Sequence, residues 1–265
     1  MKPDATQRRL GRTDHTGLLV ALGGVSLMRV PLDEAIALGH RALDLGVTHF
    51  DVAPTYGDAQ FKMGHVVRER RGEIFLSCKT AARDAAEARA ELAESLRLLQ
   101  TDHIDLYQFH ALDTEAELDQ VTGPGGALEA FEEARKAGVV RYLGVTGHRH
   151  AVHLKTIERL ALDTVMAPLN FRTYDAMCGA GGLIEKARAR GMGIIAIKAT
   201  TRGEIKPTAT AYRFTLSQDV DVTVPAGKEF LEAAEIGRTF APLTAAEQAA
   251  FVEHCRATYE VEKVY

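Results

Sequence analysis

Eight short apolar runs alternate with longer amphipathic stretches along the chain, and this repetition limits the fold more than any other feature of the sequence. The runs are 17–23 (GLLVALG), 47–53 (VTHFDVA), 74–80 (IFLSCKT), 104–110 (IDLYQFH), 140–146 (VRYLGVT), 164–171 (TVMAPLNF), 193–199 (GIIAIKA) and 221–227 (DVTVPAG). They are apolar on consecutive positions and rich in β-branched or aromatic residues, the pattern of parallel strands buried on both faces. Helical periodicity fills the gaps, at 32–46, 84–100 and 127–138, and more weakly at 60–70, 150–161, 180–190, 208–217 and 228–236. Gly46 and Gly138 are placed as C-caps, and Asp84 with Glu87 three residues on has the form of a capping box. Thr244 and Glu247 have the same form and open a last helix near 244–260. Strict strand–helix alternation calls for a parallel sheet with helices outside. Eight strands close a barrel, although an open doubly wound sheet shares the alternation.

Size agrees with the closed form. The chain has 265 residues, and one (β/α)₈ barrel takes roughly 250. Residues 1–265 are therefore read as a single α/β domain, a (β/α)₈ TIM barrel. A net charge of -4 offers no broad attraction to nucleic acid or anionic lipid. The opening segment MKPDATQRRLGRTDHTG has no apolar core of a signal peptide, and no stretch approaches the ~18 apolar residues of a membrane span. Cys78, Cys178 and Cys255 are far apart and odd in number, which argues against a disulfide framework or a cysteine metal site and suits a reducing cytosol. The expectation is a cytoplasmic protein without membrane or nucleic-acid partners, its oligomeric state unknown.

Four ionisable residues fall at or just beyond the carboxyl ends of three successive predicted strands: Asp51 and Tyr56 after the second, Lys79 at the third, His110 at the fourth. In a (β/α)₈ barrel those ends share one mouth, where active sites lie. Their chemistry is complementary. A phenol has an ordinary pKa near ~10, and a nearby ammonium is expected to lower it. Asp51 can hold Lys79 charged and oriented, and His110 can hydrogen-bond a carbonyl oxygen. Tyr56 can then donate a proton to that oxygen while a hydride reaches carbon, or run the reverse with an alcohol. No side chain supplies hydride, so this chemistry requires a nicotinamide.

The runs FDVAPTYG (50–57), LSCKT (76–80) and DHIDLYQFH (102–110) resemble the three catalytic segments of the aldo-keto reductases. RRLGRT (8–13) is similar to the opening of that family, and 127–148 to its fourth helix and fifth strand. MRVP (28–31), TGH (146–148), PLNF (168–171) and IIAIK (194–198) resemble a bacterial branch whose members often carry a C-terminal ferredoxin-like cysteine segment, expected to be absent here. The resemblance implies Asp51, Tyr56, Lys79 and His110 as the catalytic group, with Tyr56 as general acid/base. It also implies NADPH across the barrel mouth and a small carbonyl or alcohol substrate. Thr146, Gly147, His148 and Asn170 would then hold the carboxamide, with Lys198, Gly227 and Lys228 as further cofactor contacts.

Departures from the family pattern fall on the cofactor side. The usual Ser-Asn pair after the fifth strand reads Thr146-Gly147, a glutamine position reads Met166, and a tyrosine position that stacks on nicotinamide reads Leu169. The segment 199–208 is short and lacks the family's Ser-Pro-Leu start, and 225–237 lacks most of the segment that grips the adenosine phosphate, leaving Lys228 and Arg202 for a 2′-phosphate. Two other functions therefore stay open: a non-redox lyase or isomerase using the same four residues, and a non-catalytic nucleotide-binding sensor. His148, His150 and His153 form an HxHxxH run without a carboxylate or cysteine at ligand spacing, so no metal is expected. Cys78, next to Lys79, should point away from the mouth.

Overall fold

Seven of the eight apolar runs each form one strand of a parallel sheet, while the first is divided between two elements. The computed structural model describes residues 6–225 and 227–261. In chain order the strands are β1 (Gln7–Arg9), β2 (Thr16–Leu18), β3 (Leu22–Gly23), β4 (His49–Asp51), β5 (Phe75–Thr80), β6 (Ile104–Phe109), β7 (Val140–Thr146), β8 (Thr164–Pro168), β9 (Gly193–Ile197) and β10 (Val222–Val224). β3 to β10 follow one another around the sheet in sequence order. A parallel bridge between Val20 and Thr223, with Thr223 N–H donating to Leu19 O and Ala21 N–H to Thr223 O, joins the last strand to the first. The sheet is thus a closed (β/α)₈ barrel, as expected.

β1 and β2 pair antiparallel in a hairpin at the amino-terminal end of the barrel. Leu10, in the hairpin loop, packs with Phe75, Leu106, Met166, Ile195 and Val222 as the barrel interior. Side chains that alternate outward, such as Phe50, Cys78, Phe109, Val145 and Ile194, form the layer under the helices. Fully burying one such chain contributes roughly 1.5–3 kcal/mol, so two concentric layers hold the strands in register.

The helices are α1 (Leu32–Asp44), α2 (Ala59–Arg70), α3 (Ala85–Leu99), α4 (Glu115–Thr122), α5 (Ala127–Lys136), α6 (His150–Arg159), α7 (Tyr174–Cys178), α8 (Leu183–Arg188), α9 (Thr208–Leu216), α10 (Phe230–Arg238) and α11 (Ala245–Thr258). Their ends follow local chemistry. Asp84 accepts from Glu87 N–H to cap α3, whereas Thr244 and Glu247 make the reciprocal box that starts α11. Gly46 takes φ +84° just past α1, the left-handed conformation that a C-cap glycine supplies. α4 is an addition to the sequence reading, and its Thr114–Glu117 capping box is complete. No described helix is long and apolar enough to cross a membrane.

Candidate active site

Asp51 ends β4, Lys79 is the penultimate residue of β5, and His110 follows β6 directly, so three neighbouring strands deliver all three to the mouth. Inside it, Lys79 Nζ donates to Asp51 Oδ2 at 2.5 Å and to Val52 O at 3.2 Å. Gln108, paired with Lys79 in register, donates through Nε2 to Asp51 Oδ1 at 3.3 Å. Both charged side chains are buried, at 0% and 3% exposure. Burial works against the Lys79 ammonium, but Asp51 and Tyr56 beside it hold its pKa above the ordinary value. For Asp51 burial wins, and its carboxyl stands above the usual range despite the pull of Lys79 and Gln108.

Tyr56 lies in the turn between β4 and α2, its N–H on Ala53 O and its carbonyl accepting from Ala59 N–H. The Lys79 ammonium is 5.1 Å from the centroid of its ring. The expected lowering of the phenol does not follow: burial raises the Tyr56 pKa above 10, and Lys79 offsets only part of that rise. Tyr56 is therefore held as a neutral proton donor. The His110 ring meets the Tyr56 ring edge-on, with centroids 5.6 Å apart and planes at 88°. Burial, then Lys79 and His148, push His110 down to about 3, so its imidazole is neutral at physiological pH. Cys78 turns outward, as alternation requires, and Gln60 Nε2 donates to its sulfur at 3.3 Å.

A cavity of about 230 Å³ opens at this mouth, and Tyr56, His110, Thr146, His148, Lys198 and Arg202 border it together with apolar Val25, Met166, Ile197 and Val224. Larger hollows of about 430 and 340 Å³ lie between α7 and α11 and at the amino-terminal end of the barrel. Neither touches the four residues, so the smaller cavity is the candidate site.

The residues assigned to a cofactor are distributed unevenly around it. Thr146, His148 and Lys198 border the cavity. Asn170 stands behind it, donating through Nδ2 to Lys198 O at 3.0 Å and accepting from Arg172 N–H. Leu169 is fully buried under the helices, while Met166 faces the cavity. Gly227 and Lys228 are exposed in a 3-10 turn (Gly227–Glu229) that does not border it. At Gly147 a Cβ would fall 2.5 Å from Asp113 Oδ1 and 3.0 Å from His153 Nε2, so any side chain there forces Asp113 to shift.

Lys198 and Arg202 carry the positive charge of the far wall. Among the described residues neither side chain has a hydrogen-bond or ion-pair partner, and burial together with Arg202 depresses Lys198. Both take left-handed backbone, φ +63° and +68°, with Thr201 at +51° between them. Two adjacent cations beside an apolar slot suit a ligand with a flat ring and a phosphate, so the residues present fit a nicotinamide nucleotide. No group of three histidine, cysteine or acidic side chains among the described residues could hold a metal ion.

Several supporting residues escaped the sequence reading. Arg83 Nη2 donates to the carbonyls of His110 and Ala111 at 2.9 Å and to Glu117 Oε1 at 3.0 Å, fixing the loop that carries His110. Lys62 Nζ donates to Leu27 O and Val30 O, tying down the loop that supplies Val25. Asp113 accepts from the backbone amides of His148 and Arg149 and from His148 Nδ1. Only Asp113 carried a visible signal, an acid three residues beyond the mouth histidine.

Comparison with known proteins agrees with this fold. The sequence pattern of the Aldo/keto reductase family matches residues 19–210. The uncharacterized oxidoreductase YqkF of Bacillus subtilis is 30% identical over 183 residues, which is 64% of this chain and 57% of that protein. The aldo-keto reductase YhdN of the same organism is 32% identical over 164 residues, 57% of this chain and 46% of its own. The matched stretch thus spans about half the length of these curated relatives. In structure, the holo form of an aldo-keto reductase from Bacillus halodurans superposes with a TM-score of 0.78 at 24% identity, covering 98% of both chains, and shares the fold. The chain belongs to the aldo/keto reductase family, a family of oxidoreductases.

Proposed function

We propose that this chain is an NADPH-dependent reductase of a small aldehyde or ketone, able to oxidise the corresponding alcohol, with Tyr56 as general acid/base. One observation carries the reading: the proton donor Tyr56, the neutral donor His110 and the cations Lys198 and Arg202 border the same cavity. A bound nicotinamide supplies the hydride that no side chain can. The chain's own residues do the rest. His110 hydrogen-bonds the carbonyl oxygen and orients it toward Tyr56. Tyr56, kept protonated by burial, gives its proton to that oxygen as negative charge develops there. Lys79, charged and fixed by Asp51, stabilises the phenolate left behind.

On the cofactor side, Thr146 offers a hydroxyl to the carboxamide and Gly147 its backbone. Asn170 orients Lys198 through its carbonyl. Lys198 and Arg202 attract phosphate, and Gly227 and Lys228, exposed outside the cavity, are assigned to the remainder of the nucleotide. The test is titration of nucleotide-free protein with NADPH and, in parallel, NADH. The chain has no tryptophan, so tyrosine emission reports binding. Micromolar affinity for NADPH with weaker NADH binding supports the reading. Binding of neither nucleotide overturns it and leaves a non-redox acid–base reaction as the use of the four residues.

A further inference from the structure

The buried Asp51 carboxylate takes hydrogen bonds from two side chains alone among the described residues. Lys79 Nζ donates to Oδ2, and Gln108 Nε2 donates to Oδ1 at 3.3 Å. A buried ion pair holds its charges only where the remaining lone pairs are satisfied as well. Gln108 does this for the oxygen that Lys79 does not take. It is fully buried and does not border the cavity, so it acts on the site from behind.

Its place in the barrel is prepared on both sides. Lys79, Gln108 and Gly144 are partners in register across β5, β6 and β7, so the three share one layer of the interior. On the β7 side a Cβ at Gly144 would lie 3.0 Å from Gln108 Cγ, 3.3 Å from Leu106 Cδ1 and closer still to Thr164 Oγ1, so glycine leaves room for the longer chain. An ionised carboxylate only accepts, which turns the amide with Nε2 toward Asp51 and Oε1 away from it. That Oε1 is buried and has no hydrogen-bond partner among the described residues. An acceptor left so costs stability, and a methionine in an interior that already holds Leu106 and Met166 would not incur that cost. Packing therefore does not account for a glutamine at 108; its hydrogen bond to Asp51 does.

We infer that Gln108 is a positioning residue for the proton transfer, binding Asp51 Oδ1 so that the Lys79 charge stays shared with Tyr56 and is not drawn down onto the carboxylate. The inference rests on the reading of Tyr56 as general acid/base, and Gln108 touches neither substrate nor nucleotide. Without the amide donor, Oδ1 turns to the nearest cation, Lys79, and Nζ follows it away from the Tyr56 ring, whose centroid is 5.1 Å off. The phenolate left when Tyr56 gives up its proton is then less well stabilised. Loss of Gln108 thus makes Tyr56 a weaker acid and slows carbonyl reduction and alcohol oxidation together.

Gln108→Met keeps the volume and removes the donor, whereas Gln108→Asn keeps the amide and draws it back by one methylene. Both are checked for folding by circular dichroism and thermal unfolding. Tyr56 is followed without turnover by NMR of protein carrying tyrosine labelled with carbon-13 at Cζ, its resonance being the one missing from Tyr56→Phe. A hydrogen bond to a charged group is worth about one to two powers of ten, and part of that reaches Tyr56 through Lys79. The ionised fraction of Tyr56 near pH ~10 should therefore fall by about three- to tenfold in Gln108→Met. With NADPH and a small aldehyde, kcat should fall by a similar factor while both KM values hold. Gln108→Asn should follow Gln108→Met, although it keeps a polar side chain. In a Tyr56→Phe background Gln108→Met should leave the residual rate unchanged. A Tyr56 titration that does not move in folded Gln108→Met overturns the inference, as does a loss confined to KM or a Gln108→Asn equal to wild type. A Gln108→Met that fails to fold assigns the residue to stability and overturns it too. Failure of the reductase reading looks different. A shifted Tyr56 titration in a protein that binds neither NADPH nor NADH sinks that reading alone, and an unshifted one in an active reductase sinks the inference alone.

Discussion

Lys79 Nζ and Asp51 Oδ2 stand 2.5 Å apart in the barrel mouth, with almost no solvent reaching either side chain. Such a pair is weak evidence for stability, because desolvation costs about as much as attraction returns. Removing one member is different, since it strands a buried charge. Lys79→Met should lower stability by about 3–5 kcal/mol in urea denaturation, and the Asp51→Asn/Lys79→Met double variant should recover most of that. Both proteins should lose turnover. A double variant no more stable than Lys79→Met would mean that the pair is not the source of the loss.

The candidate group was legible because Asp51, Lys79 and His110 lie on three separate, strongly apolar runs, with Tyr56 just beyond the first of these, and strand ends in a parallel barrel share one face. The first strand was not. GLLVALG reads as one run, yet Thr16–Leu18 pairs with Gln7–Arg9 in the hairpin while Val20 and Leu22–Gly23 join the barrel, a division set by tertiary pairing. α4 carries a Thr114–Glu117 box but little apolar periodicity, which hid it. The direction of the Tyr56 shift could not be read either: charge complementarity is visible in a sequence, but the burial that outweighs Lys79 is not.

Tyr56→Phe keeps the ring against His110 and removes only the hydroxyl. It should preserve the thermal transition while lowering kcat by about 10²–10⁴, the range of a lost general acid. Near wild-type turnover in this variant would falsify the proton-transfer role.

Burial also fixes the pH profile. Because the Tyr56 pKa stands above its ordinary value, the donor form persists through neutral pH. Carbonyl reduction should stay level from about pH 6 to 9 and decline only at more alkaline pH, past the ordinary phenol value near ~10. Alcohol oxidation needs the phenolate and should climb with pH over the whole range. His110, held at about 3, should add no limb near pH 6.5. A reduction rate that halves near pH 7 would contradict this assignment.

Several imidazoles are folded in their neutral form, and stability should follow their titration. Burial lowers His110 and His153 to about 3 and His15 to about 4 from an ordinary 6.5. Between those values the unfolded chain binds protons that the native protein refuses, so stability falls as pH drops from about 6.5 toward 3, by up to ~1.4 kcal/mol per unit for each fully buried group. His153 is the extreme case, fully buried with neither ring nitrogen hydrogen-bonded among the described residues. His153→Leu should raise stability at pH 7 by about 1 kcal/mol and flatten the acid slope. An unchanged urea midpoint between pH 7 and 5 in wild type would show that these rings protonate within the fold.

Gly147 and Asp113 offer the sharpest test of how this barrel departs from its family. The family resemblance puts an asparagine at 147, yet a Cβ there would sit 2.5 Å from Asp113 Oδ1 and 3.0 Å from Leu112 O and His153 Nε2. Two of those three neighbours are a backbone oxygen and a ring fixed by burial, so relaxation must come from Asp113. Asp113 is also held: hydrogen bonds from His148 and the 148–149 amides outweigh burial and keep its carboxyl down at about 2. Gly147→Ala should therefore cost about 1–3 kcal/mol, the range of an overpacked site. Asp113→Ala should cost a similar amount by leaving the amides and His148 without their acceptor. In the double variant the collision is gone because its partner is gone, so the two losses should fall short of additivity by 0.5 kcal/mol or more, the scale of coupling between contacting residues. Additive losses would mean that Asp113 does not occupy the space at 147.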